Sequence, residues 1–219
     1  MATPKSEQIS AGRLVIVDHP LVQHKLGLMR ETTTTTKDFR QLMGELAAFL
    51  TYAATGDLDV EPVEIETPLE PAVVNRVSGK KLGVVAVLRA GLGMLDAVID
   101  LVPVARVGFV GVYRDEQTLQ PVEYYCKLPG DLADRYVLVL DPMLATGGSA
   151  SAAITMCKDR GAVRLSLLSV VAAREGLVRV HDDHPDVTVY TASLDRELND
   201  QGYILPGLGD AGDRLFGTR

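Results

Sequence analysis

From Lys81 onward the chain alternates two textures: short runs that are apolar throughout, and stretches in which apolar residues recur at helical spacing. The first texture predicts strands over 83–88, 106–113, 137–140, 163–170 and 187–191. The second predicts helices over 92–101, 149–160 and 174–181. Strands that are apolar throughout are buried on both faces, and their alternation with helices implies parallel neighbours joined by crossovers. The expected fold class is α/β, an open, mostly parallel twisted sheet flanked by helices, with ligands received at the carboxyl ends of the strands.

Upstream the pattern changes. Phe39, Leu42, Met43, Leu46 and Leu50 recur at helical spacing, with Thr36 as an N-cap and Gly56 as the stop. The stretch "HPLVQHKLGLMR" from His19 reads as a short amphipathic helix. "VEPVEIET" from Val60 is β-like, but Pro62 suits an edge or an irregular arm. A longer polar stretch, "RDEQTLQPVEYYCK" from Arg114 to Lys127, predicts a projecting β-hairpin arm. No internal repeat occurs. The expected organisation is one domain over 1–219, with N-terminal helices and a β arm over 1–80, an α/β core over 81–191 and a C-terminal segment over 192–219.

Composition narrows the partners. With 219 residues and 47% hydrophobic content the chain can bury one sizeable core. A net charge of −7 and a pI near 5.1 argue against nucleic-acid binding, which needs clustered cations. The first ten residues lack the apolar core of a signal peptide, and the longest apolar runs are too short to span a bilayer, so the expectation is a cytoplasmic protein with no membrane partner. Cys126 and Cys157 form neither a CxxC pair nor a zinc cluster.

The candidate chemistry lies in the loops that follow strands. In "DPMLATGGS" the residues Asp141, Pro142, Met143, Leu144, Ala145, Thr146, Gly147, Gly148 and Ser149 carry the chain from a strand into a helix. Unpaired N–H groups, the helix dipole and two hydroxyls can converge there on a monophosphate, and glycine permits close approach. GxxxxGK[ST] is absent, so this is no Walker loop. The plainer reading is an ordinary helix N-cap region. "VLRAGLGMLD" gives an incomplete dinucleotide fingerprint, with Asp96 at the third glycine position. Arg89, before its two glycines, could fork onto a second anionic group or simply lie on the surface. Arg114 ends the next strand. Together these features predict a multiply phosphorylated ligand.

The tail "NDQGYILPGLGDAGDRLFGTR" is rich in glycine yet carries apolar residues that suit an ordered Ω-like loop, with Asp210 among small neighbours. His181 and His184 have a metal-compatible spacing, but their Asp-rich, Pro-containing setting reads more simply as a solvated helix end.

"VLDPMLATGGS" resembles the phosphoribosyl-diphosphate motif of type I phosphoribosyltransferases, in the variant form of the uracil phosphoribosyltransferase family. "HPLVQHKLGLMR", "VLRAGLGM", "YRDEQTLQPVEYY" and "GYILPGLGDAGDRLFGT" resemble segments of that family in the same order. The resemblance implies that Asp141 to Ser149 hold the ribose and its 5-phosphate, and that Arg89 and Arg114 meet the diphosphate. It also implies that Ile204, Gly209, Asp210 and Ala211 receive uracil, that Asp210 also faces the sugar donor, and that the 114–127 arm forms a hood. Pro142 stands where the wider superfamily has a second acid, which counts against direct metal binding by this motif and agrees with the uracil-specific form.

The resemblance further implies transfer of phosphoribosyl from 5-phosphoribosyl 1-diphosphate (PRPP) to uracil, giving UMP. Mg2+ would arrive with PRPP, GTP would serve as an allosteric activator as in some members, and the protein would be a homodimer or homotetramer. Two rival readings are an RNA-binding regulator on the same fold and a nucleotide-binding oxidoreductase resting on "GLGMLD".

Overall fold

The computed structural model describes residues 5–9, 12–80, 82–114 and 121–218. Its elements, in chain order, are β1 (Lys5–Ile9), β2 (Gly12–Ile16), α1 (Pro20–Arg30), α2 (Thr36–Ala54), β3 (Val60–Glu66), β4 (Pro71–Val77), β5 (Leu82–Leu88), α3 (Leu92–Leu101), β6 (Arg106–Arg114), β7 (Pro121–Lys127), β8 (Tyr136–Leu140), β9 (Met143–Leu144), α4 (Gly148–Asp159), β10 (Arg164–Ala173), α5 (Arg174–Asp183), β11 (Thr188–Asp195), β12 (Glu197–Leu198), β13 (Ile204–Leu205) and α6 (Ala211–Phe216). The main sheet runs in the order β1-β2-β11-β10-β8-β5-β6-β7, with β9 also paired to β10. Every pairing from β2 to β6 is parallel, and the outermost ones, β1 with β2 and β6 with β7, are antiparallel.

The continuous apolar runs are explained by layers on both faces. Leu82 and Val84 of β5 and Tyr136, Leu138 and Leu140 of β8 face α1, α2 and α3. The residues between them, Val85, Val87, Val137 and Val139, face α4 and α5. A period of two along each strand thus feeds two cores at once.

Helix α2 buries Phe39, Leu42, Met43, Leu46 and Leu50, the stripe expected from the sequence. Its ends differ by one or two positions from expectation. Thr35 rather than Thr36 is the N-cap, because its hydroxyl reaches the Asp38 N–H at 3.2 Å and the Asp38 carboxylate at 2.8 Å. The helix ends on Ala54 with Thr55 as C-cap, so Gly56 is not the stop. Phe39 is fully buried, and truncating such a ring to alanine costs about 3–5 kcal/mol.

The 60–66 segment is the first strand of a separate two-stranded ribbon, β3 with β4, outside the main sheet. The 114–127 arm is an antiparallel extension of the main sheet, and residues 115–120 at its tip lie outside the described residues. His181 and His184 overturn the expectation of a solvated helix end. Both are buried, because the end of α5 packs on β2 and α4. A β-carbon on Gly12 would lie 2.1 Å from the His181 ring, and His184 Nε2 lies 3.0 Å from the Ser151 carbonyl oxygen. Among the described residues no helix is long and apolar enough to cross a membrane.

Candidate active site

Three chain crossings meet at the carboxyl ends of β5 and β8. After β8 the chain passes through Asp141 and Pro142, makes the short β9 pairing with β10, and turns at Gly147 into α4. Gly147 sits in the left-handed region (φ 79°), and a β-carbon there would meet the Gly176 carbonyl oxygen at 2.6 Å, so glycine is required twice over. No side chain caps α4. Its first N–H groups therefore face the cleft without an intrahelical partner, backed by the positive end of the helix dipole. The Thr146 and Ser149 hydroxyls make no hydrogen bond within the described residues and line the same cleft. A β-carbon on Gly148 would meet nothing within 4 Å, so the space in front of it is open.

Asp141 stands at the side of this cradle. Its backbone is fixed by β10: its N–H donates to the Leu168 carbonyl at 3.1 Å, and the Ser169 hydroxyl donates to its own carbonyl at 2.6 Å. Asp141 is half-buried and lines the cleft. Desolvation pushes its carboxyl up to about 7, and a hydrogen bond from the Met143 backbone offsets only part of that.

The second crossing follows β5. Gly91 lets this turn press against the end of β8, since a β-carbon there would fall 2.4 Å from the Leu140 carbonyl oxygen. Arg89, after a cis Leu88–Arg89 peptide bond, lines the cleft with a mostly exposed side chain. It lies 4.0 Å from the Asp213 carboxylate and over the Phe216 ring.

The third crossing is the tail, which is ordered. The β12–β13 hairpin leads through Gly207 and Gly209, both in the left-handed region, into α6. Asp210 is its N-cap, accepting from the Asp213 N–H at 2.9 Å, and it lines the cleft with Gly212. Ile204 and Ala211 are buried behind it.

Asp141, residues 143–149, Arg89 and Asp210 thus line a single cleft of about 290 Å3. Arg114 is described as the last residue of β6, opposite Pro121, and the tip of the expected hood lies outside the described residues. Among the described residues no group of three or more His, Cys, Asp or Glu side chains could hold a metal. A metal that came with a phosphorylated ligand would need only one or two carboxylates beside the phosphate oxygens, and Asp210, which lines the cleft, meets that demand.

Sequence reasoning passed over several residues that shape the cleft. Gly176 of α5 lets the loop at Leu144 and Ala145 pack backbone to backbone on that helix. Arg30, at the end of α1, makes a two-pronged ion pair with buried Asp195 at the end of β11. The apolar pattern predicts a last strand ending at Thr191, whereas β11 runs four residues further and places Asp195 at its end.

The profile of the family described as Uracil phosphoribosyltransferase matches residues 15–218. A protein named Uracil phosphoribosyltransferase from Caldanaerobacter subterraneus subsp. tengcongensis is 55% identical over 204 residues, covering 93% of this chain and 97% of its own. One of the same name from Bacillus thuringiensis is 56% identical over 208 residues, covering 95% of this chain and 100% of its own. A solved structure of a protein from Aquifex aeolicus is similar with a TM-score of 0.89 and 37% identity, covering 94% of this chain and 98% of that one.

Proposed function

The chain belongs to the uracil phosphoribosyltransferase family, and from that premise we propose how its cleft carries out the reaction. A phosphoribosyl group passes from PRPP to N1 of uracil, with UMP and diphosphate as products. The observation that carries this reading is the convergence, in one cleft, of the uncapped N-terminus of α4 with Asp141, Arg89 and Asp210.

The 5-phosphate sits on the N–H groups and hydroxyls between Thr146 and Ser149, where the helix dipole favours negative charge. Asp141 accepts from the ribose hydroxyls. Arg89 meets the diphosphate, joined by Arg114 from the end of β6. Bond breaking leaves positive character on the sugar ring and negative charge on the departing diphosphate, so catalysis consists of positioning and electrostatic stabilisation and needs no protein nucleophile. Asp210 faces both the donor and the base, with one carboxylate oxygen committed to capping α6. Backbone from Ile204 and Gly209 to Ala211 reads the acceptor–donor–acceptor edge of uracil. Cytosine presents its amino group and unprotonated nitrogen to the wrong partners there.

Mg2+ would be held chiefly by the diphosphate oxygens, with Asp210 as the one carboxylate alongside, and would neutralise charge on the leaving group. GTP as an activator, a homodimeric or homotetrameric assembly and a cytoplasmic setting complete the proposal. Incubation with uracil, PRPP and Mg2+, followed by chromatography for UMP, tests the reading, and absence of UMP would overturn it. Repeating the assay with GTP tests activation, sedimentation velocity tests the assembly, and filter binding with RNA tests the regulator reading.

A further inference from the structure

We propose that Arg30 and Asp195 are positioning residues for base recognition: as one ion pair they grip both backbone polar atoms of Gly207 and fix the loop between β13 and α6. The inference rests on the uracil reading above, in which that loop presents the base-reading backbone.

All four oxygen contacts of Asp195 are specified. Oδ1 accepts from Arg30 Nη2 at 2.6 Å and from the Ser193 hydroxyl at 2.7 Å. Oδ2 accepts from Arg30 Nη1 at 2.8 Å and from the Gly207 N–H at 2.9 Å. Arg30 Nη1 also donates to the Gly207 carbonyl at 2.7 Å. The peptide groups on either side of the Gly207 α-carbon are thus tied to the two partners of one ion pair.

Gly207 is where the loop folds back. Its φ is +59°, and a β-carbon there would fall 2.1 Å from the Ile204 carbonyl oxygen. A displacement of Gly207 is therefore transmitted to Ile204 on one side and to 209–211 on the other. A second stitch reinforces the first through the next residue on each side: Arg214 donates to the Leu208 carbonyl at 2.9 Å and to the Glu31 carbonyl at 2.7 Å.

Asp195 has a side-chain exposure of 2% and Arg30 one of 22%. Burial opposes ionisation of Asp195, but Arg30, Ser193 and the Gly207 N–H together hold it below the usual carboxylate range. A buried pair of this kind contributes little net stability compared with apolar packing. What its planar, two-pronged geometry supplies is a fixed position for whatever is hydrogen-bonded to it.

The test compares the parent with Arg30→Lys and Asp195→Asn in steady-state kinetics. Lysine keeps the charge but cannot span both carboxylate oxygens and the Gly207 carbonyl as the guanidinium does. The expected result is a rise in KM for uracil of about tenfold or more, with KM for PRPP changed by less than about twofold. Equal rises in both KM values, or a lowered Tm with an unchanged KM for uracil, would overturn the proposal. Should both variants fail to fold, Ser193→Ala, which removes one contact to Asp195, must raise KM for uracil selectively, and an unchanged value sinks the idea. Hydrogen exchange at the Gly207 N–H of the parent gives a readout independent of turnover: slow exchange supports the grip, and exchange at the rate of an open loop refutes it. A parent that makes no UMP but protects this N–H would sink the enzymatic reading while leaving the clamp standing.

Discussion

Gly176 of α5 and Ala145 of the loop before α4 pack backbone to backbone, so closely that a β-carbon on Gly176 would lie 2.4 Å from the Ala145 carbonyl oxygen and 2.9 Å from that of Leu144. Neither atom is the yielding tip of a flexible side chain. Gly176→Ala must therefore push the loop off α5. We expect a stability loss of about 1–3 kcal/mol by thermal melting. The accompanying fall in kcat/KM for PRPP is about ten- to a hundredfold, as for other small misplacements of a reacting group. Parent-like kinetics would show that α5 does not shape the cradle.

Gly148 predicts the opposite division between fold and function. Its β-carbon would meet no protein atom within 4 Å, and alanine favours a helix by up to about 1 kcal/mol over glycine. Gly148→Ala should keep or raise Tm while its methyl crowds the proposed phosphate. KM for PRPP is expected to rise about tenfold, measured beside an unchanged KM for uracil.

Asp141 makes stability depend on pH with a defined sign. Its folded value of about 7 lies above the unfolded one, near 4, so protonation favours the folded protein. The contribution is fully present below about pH 4 and is lost as pH rises through about 7. Asp141→Asn, which does not titrate, should match the parent near pH 4 and exceed it by roughly 4 kcal/mol at pH 8 in denaturant titrations. The same substitution should weaken PRPP use, a trade of activity against stability. A difference that does not grow between pH 4 and 8 would contradict the desolvated setting.

Arg89 has most of its side chain exposed, with Asp213 4.0 Å away and the Phe216 ring beneath it. It has no structural burden comparable to that of Arg30. Arg89→Ala should leave Tm close to the parent and lower kcat about a hundredfold or more if the guanidinium acts in the transition state. A rise in KM for PRPP alone would mean that it only binds.

Much of this was legible in the sequence because both faces of the sheet are covered. That arrangement makes each central strand apolar throughout, and such runs are hard to mistake when helical stretches separate them. The 92–101 helix has the bounds its spacing predicts, and the loop before α4 stands out because a strand, paired glycines and a helix adjoin in sequence. What was missed depends on contacts across the fold. Arg30 and Asp195 are separated by 165 positions, and neither sits in an unusual local pattern. Gly176 looks like an ordinary interruption of a helix until the loop it touches is seen. The two histidines misled because a polar, charged neighbourhood in sequence does not reveal that the helix end turns inward.

Arg40 donates to the Leu215 carbonyl at 2.5 Å, Arg214 stacks over Phe39, and Arg30 holds Gly207. The earliest helices and the segment beyond residue 200 thus hold one another, although nearly the whole length of polypeptide separates them. During synthesis, a ribosome that has already delivered α1 and α2 has not yet delivered their counterpart. These contacts can therefore close only once the stretch around residue 216 has emerged and folded back onto the first two helices.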